Sequence, residues 1–289
     1  MSPAPGPFRA GTRAVLATMH GKERVIAPIL REALDLDVVL AAGLDTDTFG
    51  TFTREIDRPG TQVETVRLKA RAGLGMDPAA GIGIASEGSF FAHPHIPFVP
   101  VAREIVMLLE RHGGLEIAGI DEGIETNFGH VVATGIEAAM AFAEASGFPA
   151  HGLVVMACKD GQPAPHLLAR KDMDSAGSLA DAIGQAIRLS GAAHVETDMR
   201  AHRNPTRMAA IARATHDLVQ RLRSRCPVCE RPGFAAVGRV PGLPCRACGA
   251  PTRQVMATRM GCGRCGHEVI EERLDASSAD PATCDVCNP

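Results

Sequence analysis

Eight cysteines in four Cys-x-x-Cys pairs crowd the last 64 residues, and this spacing constrains the chain more than any other feature. The pairs are Cys226/Cys229, Cys245/Cys248, Cys262/Cys265 and Cys284/Cys287. Each pair sets two thiolates on one tight turn, and two such turns close a tetrahedral site with no open position. Two structural zinc ions in a small zinc-ribbon lobe are therefore predicted over 224–289. The intervals between pairs are 15, 13 and 18 residues. Consecutive pairing uses the 15- and 18-residue intervals, both in the usual ribbon range, and is favoured; nested and cross-braced pairings stay open. A lobe this short, with few large apolar residues, needs metal to fold. Gly249, Gly263 and Gly266 suit the left-handed turns of such knuckles, and His267 reads as a surface residue. The ninth cysteine, Cys158, reads as a small buried side chain in a strand.

The preceding residues alternate strand and helix patterns. Strands are predicted at Arg13–Thr18, Leu36–Ala41, Gly81–Ala85, Glu104–Glu110, Leu115–Ile120, Gly152–Cys158 and Ala193–Thr197. Helices are predicted at Lys22–Leu34, Thr61–Leu74, Ile136–Ala145, Leu179–Leu189 and from Asn204-Pro205 to Arg223, where Asn caps and Pro opens the helix. His112-Gly113-Gly114 marks a hairpin. The stretches 43–55 and 94–100 read as loops. This order predicts an α/β fold, a mixed-sheet layered main domain over 13–223, after a disordered leader at 1–12. The leader has no apolar core of a secretory signal, no apolar run approaches the roughly 20 residues that span a bilayer, and the cysteines have metal rather than disulfide spacing. A cytoplasmic protein without a membrane partner is expected. Trp and Tyr are absent, which argues against a binder that stacks single-stranded bases.

Four polar blocks fall at element ends, where sites are usually built. Thr18, His20 and Lys22 occupy a strand–loop–helix junction, and a lysine at a helix N-terminus opposes the dipole unless an anion sits there. Glu64 and Lys69 lie on the helix from Thr61, five residues apart and so not a clean surface pair. Glu87 and Ser89 follow an apolar strand in what reads as a glycine-rich turn, where a carboxylate suits a divalent ion. The densest block is 196–207, with Asp198, Arg200, His202, Asn204 and Arg207. Its cations stand at the start of a capped helix, where a phosphate would relieve the conflict of charge with dipole. An internal salt-bridge cluster is the bland account of the same residues.

With ASEGSF at 85–90, ETDMRAHRNPTR at 196–207 and the cysteine tail, the whole chain resembles a bacterial family of unknown function. The first ninety residues are also similar, more distantly, to the inosine-triphosphate pyrophosphatase superfamily of nucleotide hydrolases. Ala17-Thr18, Lys22, Thr61, Glu64, Lys69 and Ala70 carry that likeness. His20 stands where the superfamily has Asn, Ser86-Glu87 replaces its acidic pair, Gly147-Phe148 keeps part of a later segment, and Arg207 alone survives of a late motif. The resemblance implies an inosine-triphosphate pyrophosphatase-like α/β sandwich. The expected function is a metal-dependent hydrolase of a phosphorylated small molecule, such as a nucleotide. Glu64 and Glu87, with Asp198 as a further candidate, would hold Mg²⁺ or Mn²⁺ and orient water. Lys22, Lys69, Arg200 and Arg207 would stabilise phosphate charge, and His20 or His202 would move protons. Thr18, Ser89 and Asn204 complete the expected binding set. The alternative is a non-catalytic zinc-ribbon adaptor whose main domain binds a ligand, protein or nucleic acid without turnover, with nucleic acid or protein contact through the zinc lobe also open.

Overall fold

In a computed structural model of the chain, residues 7–50 and 58–289 are described. The chain divides into two compact units, Phe8–Leu218 and Val219–Pro289. The division falls inside the last helix, a turn before the expected boundary at 223. Residues 1–6 of the expected leader and 51–57, which overlap the loop expected at 43–55, lie outside the described residues. By Gly11 the backbone is already tied, its N–H donating to the Asp35 carbonyl at 2.8 Å.

The first unit holds two sheets. Strands β1 (Thr12–Ala17), β2 (Leu36–Leu40), β3 (Ile82–Ala92), β4 (Pro100–Glu110) and β5 (Glu116–Gly123) make a sheet in the order β2-β1-β3-β4-β5. The β1 strand pairs in parallel with β2 and β3, while β3, β4 and β5 run antiparallel. Helix α1 (Glu23–Leu34) joins β1 to β2, and α2 (Gln62–Met76) leads into β3. An apolar stripe on α2, Val66, Ala70 and Leu74, packs with Val15, Ala85 and Ile105. Gly83 permits this approach, because a Cβ there would lie 2.6 Å from the Ala70 carbonyl oxygen.

The second sheet has β6 (His130–Ala133), β7 (Leu153–Lys159), the short β8 (Gln162–Pro163) and β9 (Ala169–Arg170), and β10 (Ala193–Thr197). Its order is β6-β10-β7-β8, with β9 also pairing β7. Helices α3 (Ile136–Ala145) and α4 (Ala176–Ser190) bury Ala139, Leu179 and Ile183 against Val155 and Val195. Helix α5 (Pro205–Arg223) starts as its sequence demands: Asn204 Oδ1 accepts from the Arg207 N–H at 3.0 Å. It lies against β5, where Gly119 leaves room for the backbone at Ala214 and Leu218.

The largest departure from expectation is β3. Ser86-Glu87-Gly88-Ser89 is not a turn; the strand continues through it to Ala92 and pairs with β4 along all eleven residues. Serine and glycine are poor strand formers, and the long apolar partner strand overrides that preference. Among the described residues no helix is long and apolar enough to cross a membrane.

The second unit is a three-stranded antiparallel meander, β11 (Phe234–Pro241), β12 (Val255–Cys262) and β13 (Glu268–Glu272). One small apolar cluster there joins Phe234 to Cys226 and Cys262, with Met260 packed against it.

Candidate functional site

Strand β1 stops at Ala17, whose partner on β3 is Ala85. Beyond that point β1 offers the long strand no backbone partner, and polar side chains reach its carbonyls instead. Lys22 Nζ lies 3.5 Å from the Ser86 oxygen. Arg58 donates to the Gly88 carbonyl and to the Ser89 hydroxyl, each at 2.8 Å. Gln62 Nε2 donates to the carbonyls of Glu87 and Arg103, also at 2.8 Å.

Successive β3 side chains point to opposite faces, and each face carries one buried ion pair. On the α2 face Glu87 Oε2 is 2.6 Å from Lys69 Nζ, while its Oε1 is 2.9 Å from Arg58. On the other face Glu104 stands opposite Gly88, and its Oε1 accepts from Arg207 Nε at 2.7 Å. A Cβ on Gly88 would overlap both partners of that pair, so a larger residue there would have to shift their ends. Arg207 also donates to the Met199 carbonyl and lies over the Phe90 ring, 5.4 Å from its centroid. Burial raises the Glu87 carboxyl, but Lys69, Lys22 and Arg58 outweigh it and hold the group below its usual range.

Lys22 differs from the other cations. It sits at the N-cap of α1 with 7% of its surface exposed. Among the described residues no carboxylate lies within ion-pair distance of its amine, since Glu87 and Glu104 are engaged elsewhere. Burial, with Arg207 and Lys69 adding to it, pushes the Lys22 pKa down to about 7 against the pull of Glu104 and Glu87.

The loop before Lys22 turns through His20 and Gly21, with φ of 64° and 75°. His20 Nε2 is 3.2 Å from Asp47 Oδ1, and its ring stacks on His202 at 5.2 Å between centroids. Burial lowers both imidazoles below the ordinary 6.5, against the pull of Asp47 on His20; Arg200 adds to the effect on each. Arg200 donates to both Asp198 oxygens and, at 2.7 Å, to Asp172. Burial opposes its charge, yet these carboxylates hold its pKa above the ordinary arginine value.

Residues from all four predicted blocks thus meet around the free edge of β3, but several do other work. Glu64 is exposed and closes a capping box, accepting from the Thr61 N–H and hydroxyl at 2.8 Å each. Thr-x-x-Glu before an apolar run is a helix-start signature, and here that role takes Glu64 away from Glu87. Both Glu87 oxygens are bridged to cations and Asp198 is clamped by Arg200, so the expected Glu64, Glu87 and Asp198 set offers no seat for Mg²⁺ or Mn²⁺. Asn204 is the cap of α5, its Nδ2 donating to Asn127 at 2.9 Å. The Thr18 hydroxyl donates to its neighbour's carbonyl, and Ser89 accepts from Arg58. Sequence reasoning missed Arg58, Asp47, Asp172 and above all Glu104, a carboxylate opening an apolar strand, which is itself a signal.

The eight cysteines form two groups, Cys226, Cys229, Cys262, Cys265 and Cys245, Cys248, Cys284, Cys287, each with all four sulfurs within 4.8 Å. Each group could hold a metal ion. The Sγ···Sγ distances between knuckles are 3.7–3.8 Å. A tetrahedron with metal–sulfur bonds of about 2.3 Å has edges of about 3.8 Å, so donor set and size both fit zinc. The pairing is interleaved, first knuckle with third and second with fourth, and not consecutive as the intervals suggested. Strand β11 separates the first two knuckles, and antiparallel β12 returns Cys262 beside Phe234. The fourth knuckle joins the second through the bridge of Cys245 with Ala279. All four knuckles share one turn, the N–H after the second cysteine donating to the first cysteine's carbonyl at 2.8–3.0 Å.

The buried amine generates a stability prediction. Between pH 7 and 10.5 the unfolded chain binds a proton at residue 22 that the folded protein does not, so stability should rise with pH in this window. Below pH 7 the full penalty of burying the ammonium is present. Denaturant melts of wild type against Lys22→Met should diverge across the window with a slope approaching about 1.4 kcal/mol per pH unit. Parallel pH profiles would contradict the assignment.

No curated protein matches the sequence. The family described as a domain of unknown function, DUF6671, has a sequence model that matches residues 71–289, about three-quarters of the chain. That span takes in Glu87, Glu104, Arg207 and every cysteine pair, whereas Lys22 and His20 precede it. The chain is a member of the DUF6671 family.

Proposed function

We propose that Phe8–Leu218 is a hydrolase of a phosphorylated small molecule, with the phosphoryl group beside Lys22 at the start of α1 and His20 moving the proton. The observation that carries this reading is a buried amine without a carboxylate partner among the described residues, two residues beyond an oriented His–Asp pair. When Asp47 accepts from Nε2 of the neutral ring, Nδ1 is left as the acceptor for a proton from water. A phosphate at the amine restores the charge that burial removes, and the resulting ammonium together with the positive end of the α1 dipole offsets charge on the phosphoryl oxygens. The distant resemblance at Ala17-Thr18, Lys22 and Lys69-Ala70 to the inosine-triphosphate pyrophosphatase superfamily supports a phosphorylated ligand. Arg207 and Lys69 position this corner through their carboxylates and do not need to touch the ligand.

A phosphate-release screen over nucleotides and sugar phosphates, with and without divalent ions, tests the reading. His20→Asn suits the left-handed backbone at this position and should lower kcat by roughly 10²–10⁴-fold. Glu64→Gln should leave kcat unchanged. Absence of release from every compound, or wild-type kcat in His20→Asn, would contradict it.

We infer further that the cysteine groups hold two structural zinc ions. Metal analysis should find two zinc ions per chain. Because the sites interleave across one hairpin, Cys245→Ser should also make the ion of the Cys226 group easier to chelate. An unchanged chelator midpoint for that ion would argue against the interlocked arrangement.

A further inference from the structure

We propose that the Lys22 amine is a nucleophile that condenses with the carbonyl carbon of a phosphorylated aldehyde or ketone, so that the site takes its substrate as a protein-bound imine. The inference rests on the reading above for the phosphoryl group alone; the ammonium that faces a bound phosphate first passes its proton to Glu104 Oε2, and the free amine then attacks the carbonyl carbon.

The chain has 30 basic residues, and only Lys22, Lys69, Lys159 and Lys171 are lysines. Arginine supplies nearly all of the chain's basic residues, yet two of the four lysines are buried in one cluster. Arginine would supply a permanent charge and more hydrogen bonds; only the lysine amine can give up its proton and attack carbon. The two lysines have different surroundings. Lys69 has Glu87 at 2.6 Å, which favours its ammonium form. Lys22 has no such partner among the described residues, and it feels the charges of both Lys69 and Arg207. Desolvation beside other cations is an arrangement that activates lysine nucleophiles. The lowered pKa of Lys22 is a consequence of that geometry, and it leaves a large fraction of the amine unprotonated near neutral pH.

The cluster also contains acceptors without partners. Glu104 Oε2 and Ser86 Oγ are both buried and make no hydrogen bond. Glu104 is fully buried, and its charge acts on Lys22. Polar atoms left unpaired in this way are costly unless a ligand or a moving proton uses them. In the proposed step the amine lone pair forms the C–N bond and the carbonyl π pair moves to oxygen. One amine proton passes by way of Glu104 Oε2 to that oxygen, giving the carbinolamine. The second follows the same route as the C–O bond breaks, water leaves and the C=N bond forms. Atoms and electrons balance without an added oxidant or reductant.

The test treats the full-length protein at pH 7 with glyceraldehyde 3-phosphate or with glyceraldehyde, adding cyanoborohydride to reduce any imine to a stable secondary amine. Peptide mass spectrometry then reads the modified lysine. Lys22 should be modified roughly tenfold or more faster than Lys159 or Lys171, because each pKa unit changes the free-amine fraction about tenfold. Inorganic phosphate should slow the reaction of the phosphorylated aldehyde, and Lys22→Arg should abolish the fast adduct while a thermal melt confirms that the variant is folded. Fast modification of Lys22 by both aldehydes alike, indifferent to phosphate, would keep the amine chemistry and overturn the phosphoryl reading. Modification of Lys159 and Lys171 with Lys22 untouched overturns the proposal, and this outcome is read on the wild type alone.

Discussion

The overrun of β3 past the end of β1 is the constraint on which the main unit depends. A parallel neighbour that stops at Ala17 leaves carbonyls of Ser86 and Gly88 to be met by side chains, and the groups that reach them are cations. Cations brought into a buried position require carboxylates, and Glu87 and Glu104 supply one to each face of the sheet. Removing one partner of such a buried pair costs about 3–5 kcal/mol, because the other charge is left uncompensated. The two carboxylates are engaged by Lys69, Arg58 and Arg207, and Lys22 has no carboxylate partner among the described residues. Its unusual state follows first from burial and then from the neighbouring charges of Arg207 and Lys69, and the proposed chemistry follows from that state.

The cysteine-rich unit solves a different shortage. Its small apolar cluster around Phe234 gives little burial to offset the loss of chain entropy. Two interleaved cysteine groups that could each hold a metal ion lie at opposite ends of one β-hairpin, so an ion in either would close a loop that also contains ligands of the other.

Much of the architecture was legible because periodicity and caps act locally. Asn204-Pro205 opened a helix as its side-chain chemistry requires, and the apolar runs at 152–158 and 193–197 became strands. Features that depend on distant partners were not legible. Ser86-Glu87-Gly88-Ser89 has the composition of a turn, and only its eleven-residue register with β4 makes it strand. The interval lengths between cysteine pairs favoured consecutive sites, whereas the antiparallel return of β12 decides the pairing. Thr61-x-x-Glu64 fits two patterns, and the local one, a helix cap, won. Lys22 was visible as a cation on the wrong end of a helix. That it lacks a carboxylate partner among the described residues could not be seen without the positions of Glu87 and Glu104, which lie on strands far along the chain.

The state of the Lys22 amine can be measured directly. With four lysines in the chain, protein labelled with ¹³C at lysine Cε gives a spectrum simple enough to assign by substitution, and the resonance lost in Lys22→Met identifies residue 22. The account predicts that this resonance titrates with a midpoint near 7 in the ligand-free protein, and that inorganic phosphate moves the midpoint upward as the anion stabilises the ammonium. A midpoint at the ordinary lysine value of about 10.4, unmoved by phosphate, would mean that Lys22 is an ordinary solvated cation, and would contradict both the anion site and the nucleophile built on it.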